Sequence, residues 1–517
     1  MAETGARKWI ITVTVVLATL IELIDTSIVN VALPQMMGNL SATLDEVAWV
    51  VTSYVVANVI VVPMSGFLSG LIGRRNYFAG SIVLFTVASF FCGHATNIWE
   101  LVFFRFVQGM GGGALFSTSQ SILIETFPPE ELGLANGLFG LGVVMGPTIG
   151  PTLGGWIVDN YSWPWIFYVN IPIGIAAALL ALSFVRGGRD ERRVPSIDWA
   201  GIALLVAGIG ALQVVLERGE RDDWFAATYI VVLAVVAALG IAAFIWRELT
   251  AEHPIVDLRV LKDRSLAVGT LFTFILGFGL YSSVFIFPVF AQNLLGFTAM
   301  QTGLILLPGG VATAFMMPVV GKLLQRGVPA QLMNALGFVS FFVFTRMLSE
   351  STLSSGRHDF FWPLIFRGVG LGLLFVPLTT LALSNLRGRN VAQGTGLTNM
   401  MRQLGGSFGV ALIATYVQKR SWAHRQTLLE HVSIYDPALR ERWNEIVAGL
   451  ISRGSNLLEA QRQAYAAIEG AVIRQTFLLT YMDAFRIVGF FFLCCIPLLV
   501  LFKRRRGAPP TEPAMAH

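Results

Sequence analysis

Two acidic side chains, Glu22 and Asp25, lie within the first long apolar run of the sequence, and Arg105 lies within the fourth. An ionised group at the depth of a lipid bilayer is costly, so such residues usually face a protein interior or a water-filled path. Glu22 and Asp25 are three residues apart, which predicts neighbouring positions on one helical face. A carboxyl group that gains and loses a proton there could couple transport to a proton gradient. In the alternative interpretation, one acid only neutralises Arg105 within a packed core.

The amino-acid composition indicates a polytopic membrane protein. Of the 517 residues, 55% are hydrophobic and 13% are charged, which is too apolar for a soluble protein of this size. Apolar runs recur along the whole chain, and each can cross a hydrocarbon core of about 30 Å as a helix. The predicted fold class is therefore all-α. The runs predict fourteen spans, at residues 10–33, 47–69, 77–95, 99–124, 134–157, 165–185, 198–217, 225–246, 266–290, 302–324, 331–349, 361–385, 395–417 and 476–502.

Basic residues predict the orientation of these spans. The formal net charge is +5, and most Lys and Arg side chains fall in short segments on the same side as the amino terminus. Arg7, Lys8, Arg74, Arg75 and the run at 503–506 are examples. The positive-inside rule then places both ends in the cytoplasm. These clusters border the spans and lack interleaved aromatic residues, which argues against binding of nucleic acid.

A weak internal repeat predicts two related halves. The segment 63–68 is echoed by 318–323, and Arg105 is echoed by Arg367, with offsets of 255 and 262 residues. Chance similarity is the alternative, because Gly and Pro are common in membrane helices. Two halves predict a substrate site near the midplane where they meet. The predicted divisions are a first half at 1–185, a linker with two inserted helices at 186–265, a second half at 266–502 that includes an extracytoplasmic loop at 418–475, and a tail at 503–517.

The segment from Leu23 to Pro34, with the sequence LIDTSIVNVALP, resembles the first-helix signature of a transporter family. This family is the fourteen-helix drug:proton antiporters of the major facilitator superfamily, the EmrB/QacA type. Further stretches agree with it, and the resemblance extends from Leu23 to Phe485. It implies a major facilitator fold, and it implies that Asp25, Glu22 and Arg105 take part in proton coupling.

Helix 5 carries a motif that is typical of the antiporter branch of this superfamily. Its glycines and prolines leave the helix without bulky side chains and remove two backbone donors, so the helix can bend and can pack against the opposite half. The resemblance implies that this motif limits proton leakage, whereas a plain packing interface of small residues is the alternative. The motif comprises Gly142, Gly146, Pro147, Gly150, Pro151, Gly154 and Gly155.

The segment between helices 2 and 3 resembles the cytoplasmic loop motif of the superfamily through Gly66, Gly73, Arg74 and Arg75. The position that usually holds aspartate is Gly70 in this sequence. This difference puts the charge relay of that loop in doubt. Arg74 and Arg75 could still pair with the carboxyl ends of helices or could serve membrane topology alone.

Other polar residues within the predicted spans are candidates for lining the substrate cavity. Hydrogen bonding between helices is the commoner role of such groups, so only some of them are expected to contact substrate. The candidates are Asn30, Gln108, Gln120, Asn170, Arg367, Asn399, Arg402 and Gln403.

The sequence predicts neither a cofactor nor a metal site. No glycine-rich stretch ends in the Lys-Ser or Lys-Thr pair that would hold a nucleotide phosphate, and the six histidines are scattered. Energy is therefore expected to come from the proton gradient.

The combined expectation is a secondary active transporter of the bacterial inner membrane that exports hydrophobic or cationic small molecules in exchange for protons. An exporter of a lipid or siderophore is the alternative within transport. A membrane-embedded transferase is the alternative from another class. The resemblance also implies a possible periplasmic adaptor, a membrane fusion protein, and an outer-membrane channel as partners, with the loop at 418–475 as the expected contact.

Overall fold

A computed structural model describes residues 5–128, 131–186, 197–386, 389–433 and 435–501. Within this part of the chain, the ordered elements are helices joined by short connections. A π-helical turn, Val206–Gly210, joins the eighth and ninth of these helices. The α-helices are α1 Ala6–Asn39, α2 Leu44–Ile72, α3 Arg74–His94, α4 Ile98–Thr126, α5 Leu132–Asn160, α6 Trp165–Tyr168, α7 Asn170–Phe184, α8 Trp199–Leu205, α9 Ala211–Arg218, α10 Thr228–Thr250, α11 Arg264–Asn293, α12 Ala299–Gln325, α13 Ala330–Leu348, α14 Phe361–Leu383, α15 Arg389–Glu430, α16 Pro437–Ser452 and α17 Leu457–Cys495.

Every predicted span coincides with a helix or with a closely joined group of helices. Among the described residues, eleven helical segments are long and apolar enough to cross a membrane by length and composition. Helices α4, α5 and α15 are not among these eleven, although each exceeds the length that a bilayer requires. The all-α fold of a polytopic membrane protein is confirmed, and the total of fourteen crossings stays a prediction.

Hydrogen bonds between helix ends define the two faces of the bundle. Arg7, at the start of α1, donates to the carbonyl of Phe184 at the end of α7, at 3.0 Å. Lys8 pairs with Glu131, next to the start of α5. These contacts bring the start of α1 and the end of α7 to one side, which we call the N-terminal face; the other side is the opposite face. The predicted linker residues 187–196 and tail residues 503–517 lie outside the described residues.

The two groups of helices, α1–α7 and α11–α17, meet along α5 with α12 and along α2 with α15. Glycines allow close approach at the N-terminal face. A Cβ atom on Gly321 would lie 2.8 Å from the backbone of Gly133, and one on Gly66 would lie 3.1 Å from the backbone of Ala392. The two groups are therefore in direct backbone contact at the N-terminal face.

The inserted helices α8–α10 contact both groups. Arg218 of α9 donates to the carbonyl of Asp45 at 3.1 Å, next to α2. Trp224, just beyond α9, donates to Thr415 of α15 at 2.9 Å. The insertion is thus attached to both halves near the opposite face.

The predicted extracytoplasmic loop at 418–475 is largely helical, because α15 and α17 continue through it. Helix α15 has 42 residues, or about 63 Å at 1.5 Å per residue, which is about twice the thickness of a hydrocarbon core. We call residues 418–475 the arm, within which Ile434 lies outside the described residues. Arg425 pairs with Glu469 at 2.5 Å and holds the two long helices together there.

The glycine contacts at the N-terminal face yield a first prediction. Gly321→Leu should lower the melting temperature and keep this face from closing, because overpacking a tight contact costs about 1–3 kcal/mol. Thermal unfolding in detergent and spin-label distances across the face measure both effects. Gly80→Leu is the matched control, since a Cβ atom there meets nothing within 4 Å. Equal behaviour of the two variants would contradict the proposed tightness of the contact.

Candidate functional site

Asp25 lies at the centre of a hydrogen-bonded network inside the first half. Its Oδ2 atom accepts from the Arg105 guanidinium at 2.5 Å. Its Oδ1 atom accepts from Gln108 at 2.9 Å and from Asn170 at 2.8 Å. Asp25 is 0% exposed and Arg105 is 1% exposed. Helices α1, α4 and α7 therefore all supply side chains to one buried network, which is built around the ion pair of Asp25 and Arg105.

Arg105 makes further contacts besides its bond to Asp25. Its Nε atom donates to the carbonyl of Val50 at 3.2 Å, and its Nη1 atom also donates to Gln108 at 2.7 Å. The guanidinium lies over the ring of Tyr54 at 4.1 Å, a cation–π contact. A buried pair with this many partners is strongly destabilised when one member is removed, because the other charge is left uncompensated.

Glu22 has different partners from Asp25, although the two are one helical turn apart. Its Oε1 atom accepts from Asn58 at 3.0 Å and from the Tyr54 hydroxyl at 3.5 Å. Its Oε2 atom is buried and has no hydrogen-bond partner among the described residues. The predicted proximity of the two acids is observed, since Tyr54 contacts both sites, but their environments differ. Asp25 is fully paired, whereas Glu22 keeps a free oxygen.

Arg402 of α15 brings a positive charge from the second half towards Glu22. Its guanidinium lies 4.2 Å from the ring of Phe116 and 5.7 Å from the ring of Phe375. Its Nε and Nη1 atoms are buried and lack partners within the described part of the chain. No hydrogen bond joins these Arg402 atoms to Glu22 within the described residues. Two ionisable groups, an acid and a guanidinium, therefore lie near the interface between the halves with unused hydrogen-bonding atoms.

Amide side chains join the halves beside these charges. Gln403 donates to Asn58 at 2.8 Å, and Asn399 donates to Gln120 at 2.8 Å. Asn136 of α5 also donates to Thr380, at 3.2 Å. Any separation of the halves must break these bonds or exchange them for water.

The glycine motif of α5 packs mainly against α1, the helix that carries both acids. A Cβ atom on Gly154 would lie 2.7 Å from Ile28, and one on Gly146 or Gly150 would overlap Leu23 or Ser27. The expectation that this motif packs against the opposite half was therefore wrong for these glycines. The reason is that contact with α12 uses other positions of α5, including Gly133 and Gly137.

The other members of the motif make looser contacts. Gly142 and Gly155 are near α1, at 3.9 and 4.0 Å for a Cβ atom. Pro151 is partly exposed within the continuous helix. The side chain of Pro147 lies outside the described part of the structure.

The loop motif lies at the N-terminal face. Gly73 has a φ of 88°, which favours glycine, and ends α2 immediately before α3. Arg74 pairs with Glu125 near the end of α4, and Arg75 is exposed. Gly70 has open space around it, so the position that departs from the family pattern makes no close contact here.

The structure brings only some of the predicted cavity residues together. Gln120, Asn399, Arg402 and Gln403 lie at the interface, while Gln108 and Asn170 belong to the Asp25 network. Asn30 is exposed.

Arg367 is separate from both sites. It is 5% exposed on α14, and its Nε atom has no partner within the described residues. Whether any of the predicted residues contacts substrate stays a prediction.

Sequence reasoning missed several residues of the interface. Asn58, Asn136 and Thr380 make contacts there, and Asn58 connects Glu22 to the second half. Tyr54, which donates to Glu22 within the first half, was also missed. Asn58 could have been found by the same signal as the others, because it is an amide within an apolar span.

Comparisons with known proteins agree with this architecture. The sequence model of the family described as Major Facilitator Superfamily matches residues 15–410. The human organic anion transporter MFSD10 (TETRAN) has a similar fold, with a TM-score of 0.58, 12% identity, and coverage of 95% of this chain and 100% of that chain.

Several relatives match nearly the whole chain. The fatty acid resistance protein FarB of Neisseria gonorrhoeae is 35% identical over 500 residues, which is 96% of each chain. The multidrug export protein EmrB of Escherichia coli is 34% identical over 509 residues, 98% of this chain and 97% of that one. The colistin resistance protein EmrB of Acinetobacter baumannii is 29% identical over 96% of each chain. The chain therefore belongs to the major facilitator superfamily of membrane transporters.

Proposed function

We propose that this protein exports hydrophobic or cationic small molecules, including drugs, in exchange for protons that move inward. The observation that carries the proposal is Glu22, a buried acid with a free oxygen at the interface between the two halves. An acid at that place can exchange its proton with water on either side as the halves rock. The names of the relatives support drug export, since EmrB of Escherichia coli is a multidrug export protein.

In this proposal the two acids have different tasks. Glu22 binds and releases the transported proton, and a cationic drug can compete for the same carboxylate. Asp25 and Arg105 hold α1, α4 and α7 together, and a proton on Asp25 would loosen that connection. The network is arranged for this task, since Arg105 contacts Asp25, Gln108 and the backbone of α2 at once.

We further propose that fourteen helices cross the bacterial inner membrane and that the N-terminal face lies in the cytoplasm. Basic residues support this orientation, because Arg7, Lys8, Arg74 and Arg75 are all located at that face. The total includes α4, α5 and α15; among the polar residues of α4 and α15, Gln108, Gln120, Asn399 and Arg402 are buried among other helices. Both termini are then cytoplasmic.

The arm is proposed as the contact for a periplasmic adaptor, which would connect to an outer-membrane channel. Its surface carries exposed apolar side chains, including Tyr435, Leu457, Leu458 and Tyr465. Where exposed apolar side chains form a contiguous patch, they mark an interaction surface. The ion pair between Arg425 and Glu469 gives the arm a defined shape to present.

A second candidate cargo is an amphipathic anion, such as a fatty acid. Arg402 favours it, because a guanidinium with two unused donors and aromatic neighbours can bind a carboxylate whose tail is apolar. The relative FarB of Neisseria gonorrhoeae is named a fatty acid resistance protein.

Proteoliposomes test the tasks of the two acids. Glu22→Gln should abolish drug-dependent proton flux and keep the melting temperature, because glutamine can still accept from Asn58 but cannot release a proton. Asp25→Asn should lower flux and also destabilise the protein by about 3–5 kcal/mol, because Arg105 loses its anion. Normal flux in the Glu22→Gln variant would refute the proposed proton site.

The choice between cationic and anionic cargo can be tested at Arg402. Arg402→Met should weaken binding of dodecanoate to the purified protein by about tenfold or more, equivalent to about 1.4 kcal/mol, if the carboxylate bonds to the guanidinium. Dodecanol is the control ligand, and its binding should not change. If dodecyltrimethylammonium binds the parent protein more tightly than dodecanoate, the anionic cargo is excluded.

The arm can be tested by removing residues 425–470 and closing the gap with a short Gly-Ser linker. Transport in proteoliposomes should be retained, because the deleted part lies outside the bundle. Drug resistance in cells should fall, because the adaptor contact is lost. Equal loss in both assays would instead indicate that the arm is required for folding.

A further inference from the structure

Six polar residues form a hydrogen-bonded series that runs from the inserted helices to Glu22. It passes through all three parts of the molecule: the insertion, the second half and the first half. We call it the polar chain, and its members in order are Glu217, Gln213, Ser407, Gln403, Asn58 and Glu22.

The outer part of the polar chain joins α9 to α15. The Nε2 atom of Gln213 donates to Glu217 at 2.9 Å and to the Ser407 hydroxyl at 2.7 Å. Gln213 is 0% exposed, and its Oε1 atom has no partner within the described residues. One amide nitrogen is thus shared between an acid of the insertion and a hydroxyl of the second half.

The inner part of the polar chain reaches Glu22. The Ser407 hydroxyl donates to the carbonyl of Gln403 at 3.3 Å, one helical turn away. The Gln403 side chain donates to Asn58 at 2.8 Å, and Asn58 donates to Glu22 at 3.0 Å. These bonds place Glu217 and Glu22 at the two ends of one connected set of groups.

Within the part of the chain that the structure describes, no cation pairs with the Glu217 carboxylate. The neighbouring Arg218 is bonded to Asp222 and to the Asp45 carbonyl, and Arg221 pairs with the Asp45 side chain. The ionisable groups on other elements packed near this end of α9 also have partners of their own. Tyr229 of α10 bonds to Asp222, and Arg420 of α15 pairs with Asp483.

The hydrogen bond from Gln213 is therefore the contact observed for the Glu217 carboxylate. Glu217 is partly exposed and stands one residue before the end of α9, at the opposite face. Proton binding there requires that water from that side reaches this carboxyl group.

We propose that Glu217 is a second proton-binding group and a positioning residue for Glu22. An ionised Glu217 accepts from the Gln213 nitrogen, as observed. A protonated Glu217 becomes a donor, and the Gln213 amide then turns so that its unused oxygen accepts. The same oxygen also accepts from Ser407, whose hydroxyl leaves the Gln403 carbonyl. The hydrogen bond between Gln213 and Ser407 is thereby reversed, and the bond from Ser407 to the Gln403 carbonyl is lost within the turn of α15 that follows Arg402.

This inference rests on the proposed function and deepens it. Protons that arrive at the opposite face are sensed at Glu217 before the halves rearrange. The change in hydrogen bonding at Ser407 then affects Gln403, whose side chain is bonded to Asn58, the partner of Glu22. The insertion is then a working part of proton coupling as well as a structural link between the halves.

The experiment compares Glu217→Gln with Glu220→Gln in proteoliposomes, using drug-dependent proton flux measured across external pH. Glutamine preserves size and can still accept from Gln213, so a merely structural role would leave the profile unchanged. The pH profile should flatten in Glu217→Gln and should match the parent protein in Glu220→Gln, with unchanged melting temperatures. Superimposed profiles for Glu217→Gln and the parent protein would overturn the proposal.

A double-mutant cycle tests whether the polar chain transmits the effect. Ser407→Ala interrupts it between Gln213 and Gln403, so its profile should resemble that of Glu217→Gln, and the double variant should add nothing further. Additive effects would refute transmission through Ser407. If the parent protein itself shows no drug-dependent proton flux, the proposed function fails; if it does and the variants equal it, only this inference fails.

Discussion

The dominant physical constraint in this structure is the cost of holding charge away from water. At Asp25 and Arg105 this cost is offset by the ion pair and by hydrogen bonds, because both oxygens of Asp25 and most donors of Arg105 are bonded. At Glu22 and Arg402 this cost is only partly offset, because each has buried polar atoms without a hydrogen-bond partner within the described residues. A fully hydrogen-bonded ion pair stabilises the fold. Buried groups that lack partners can instead be stabilised by binding a proton or a cargo, or by a conformational change. The contrast divides the buried charges into a structural site and a site suited to exchange.

Small residues determine where these charges can lie. Glycines of α5 let α1 approach closely enough for Ser27 to bond to the carbonyl of Gly146 at 3.3 Å. Other glycines of α5 let α12 approach from the second half. Helix α5 therefore fixes the helix that carries the acids and at the same time contacts the half that must move. Its lack of bulk serves both contacts, and this explains why one long stretch of the helix is rich in glycine.

Much of the fold could be predicted from the sequence, because apolar length and charge are properties of the chain itself. The helices, the depth of Asp25 and Arg105, and the polar character of Gln120, Asn399 and Gln403 follow from such properties. The partners of each group could not be predicted in the same way. Residues 22 and 25 share a helix face by spacing, yet their neighbours depend on how α2, α4 and α7 are rotated around α1. The link from Glu217 to Glu22 depends on contacts between residues far apart in sequence, 194 positions for Gln213 and Ser407 and 345 positions for Gln403 and Asn58, for which the sequence contains no local signal.

The central claim is that Glu22, and not Asp25, is the group that exchanges the transported proton at the interface. Infrared difference spectroscopy of the reconstituted protein tests it directly, because a protonated carboxyl group has a carbonyl band that a carboxylate lacks. As the pH falls, the component of this band that belongs to the interface should vanish in Glu22→Gln and persist in Asp25→Asn, whereas the component from Glu217 should remain in both variants. A band that persists in Glu22→Gln and vanishes in Asp25→Asn would contradict the account and would assign the proton to the buried ion pair.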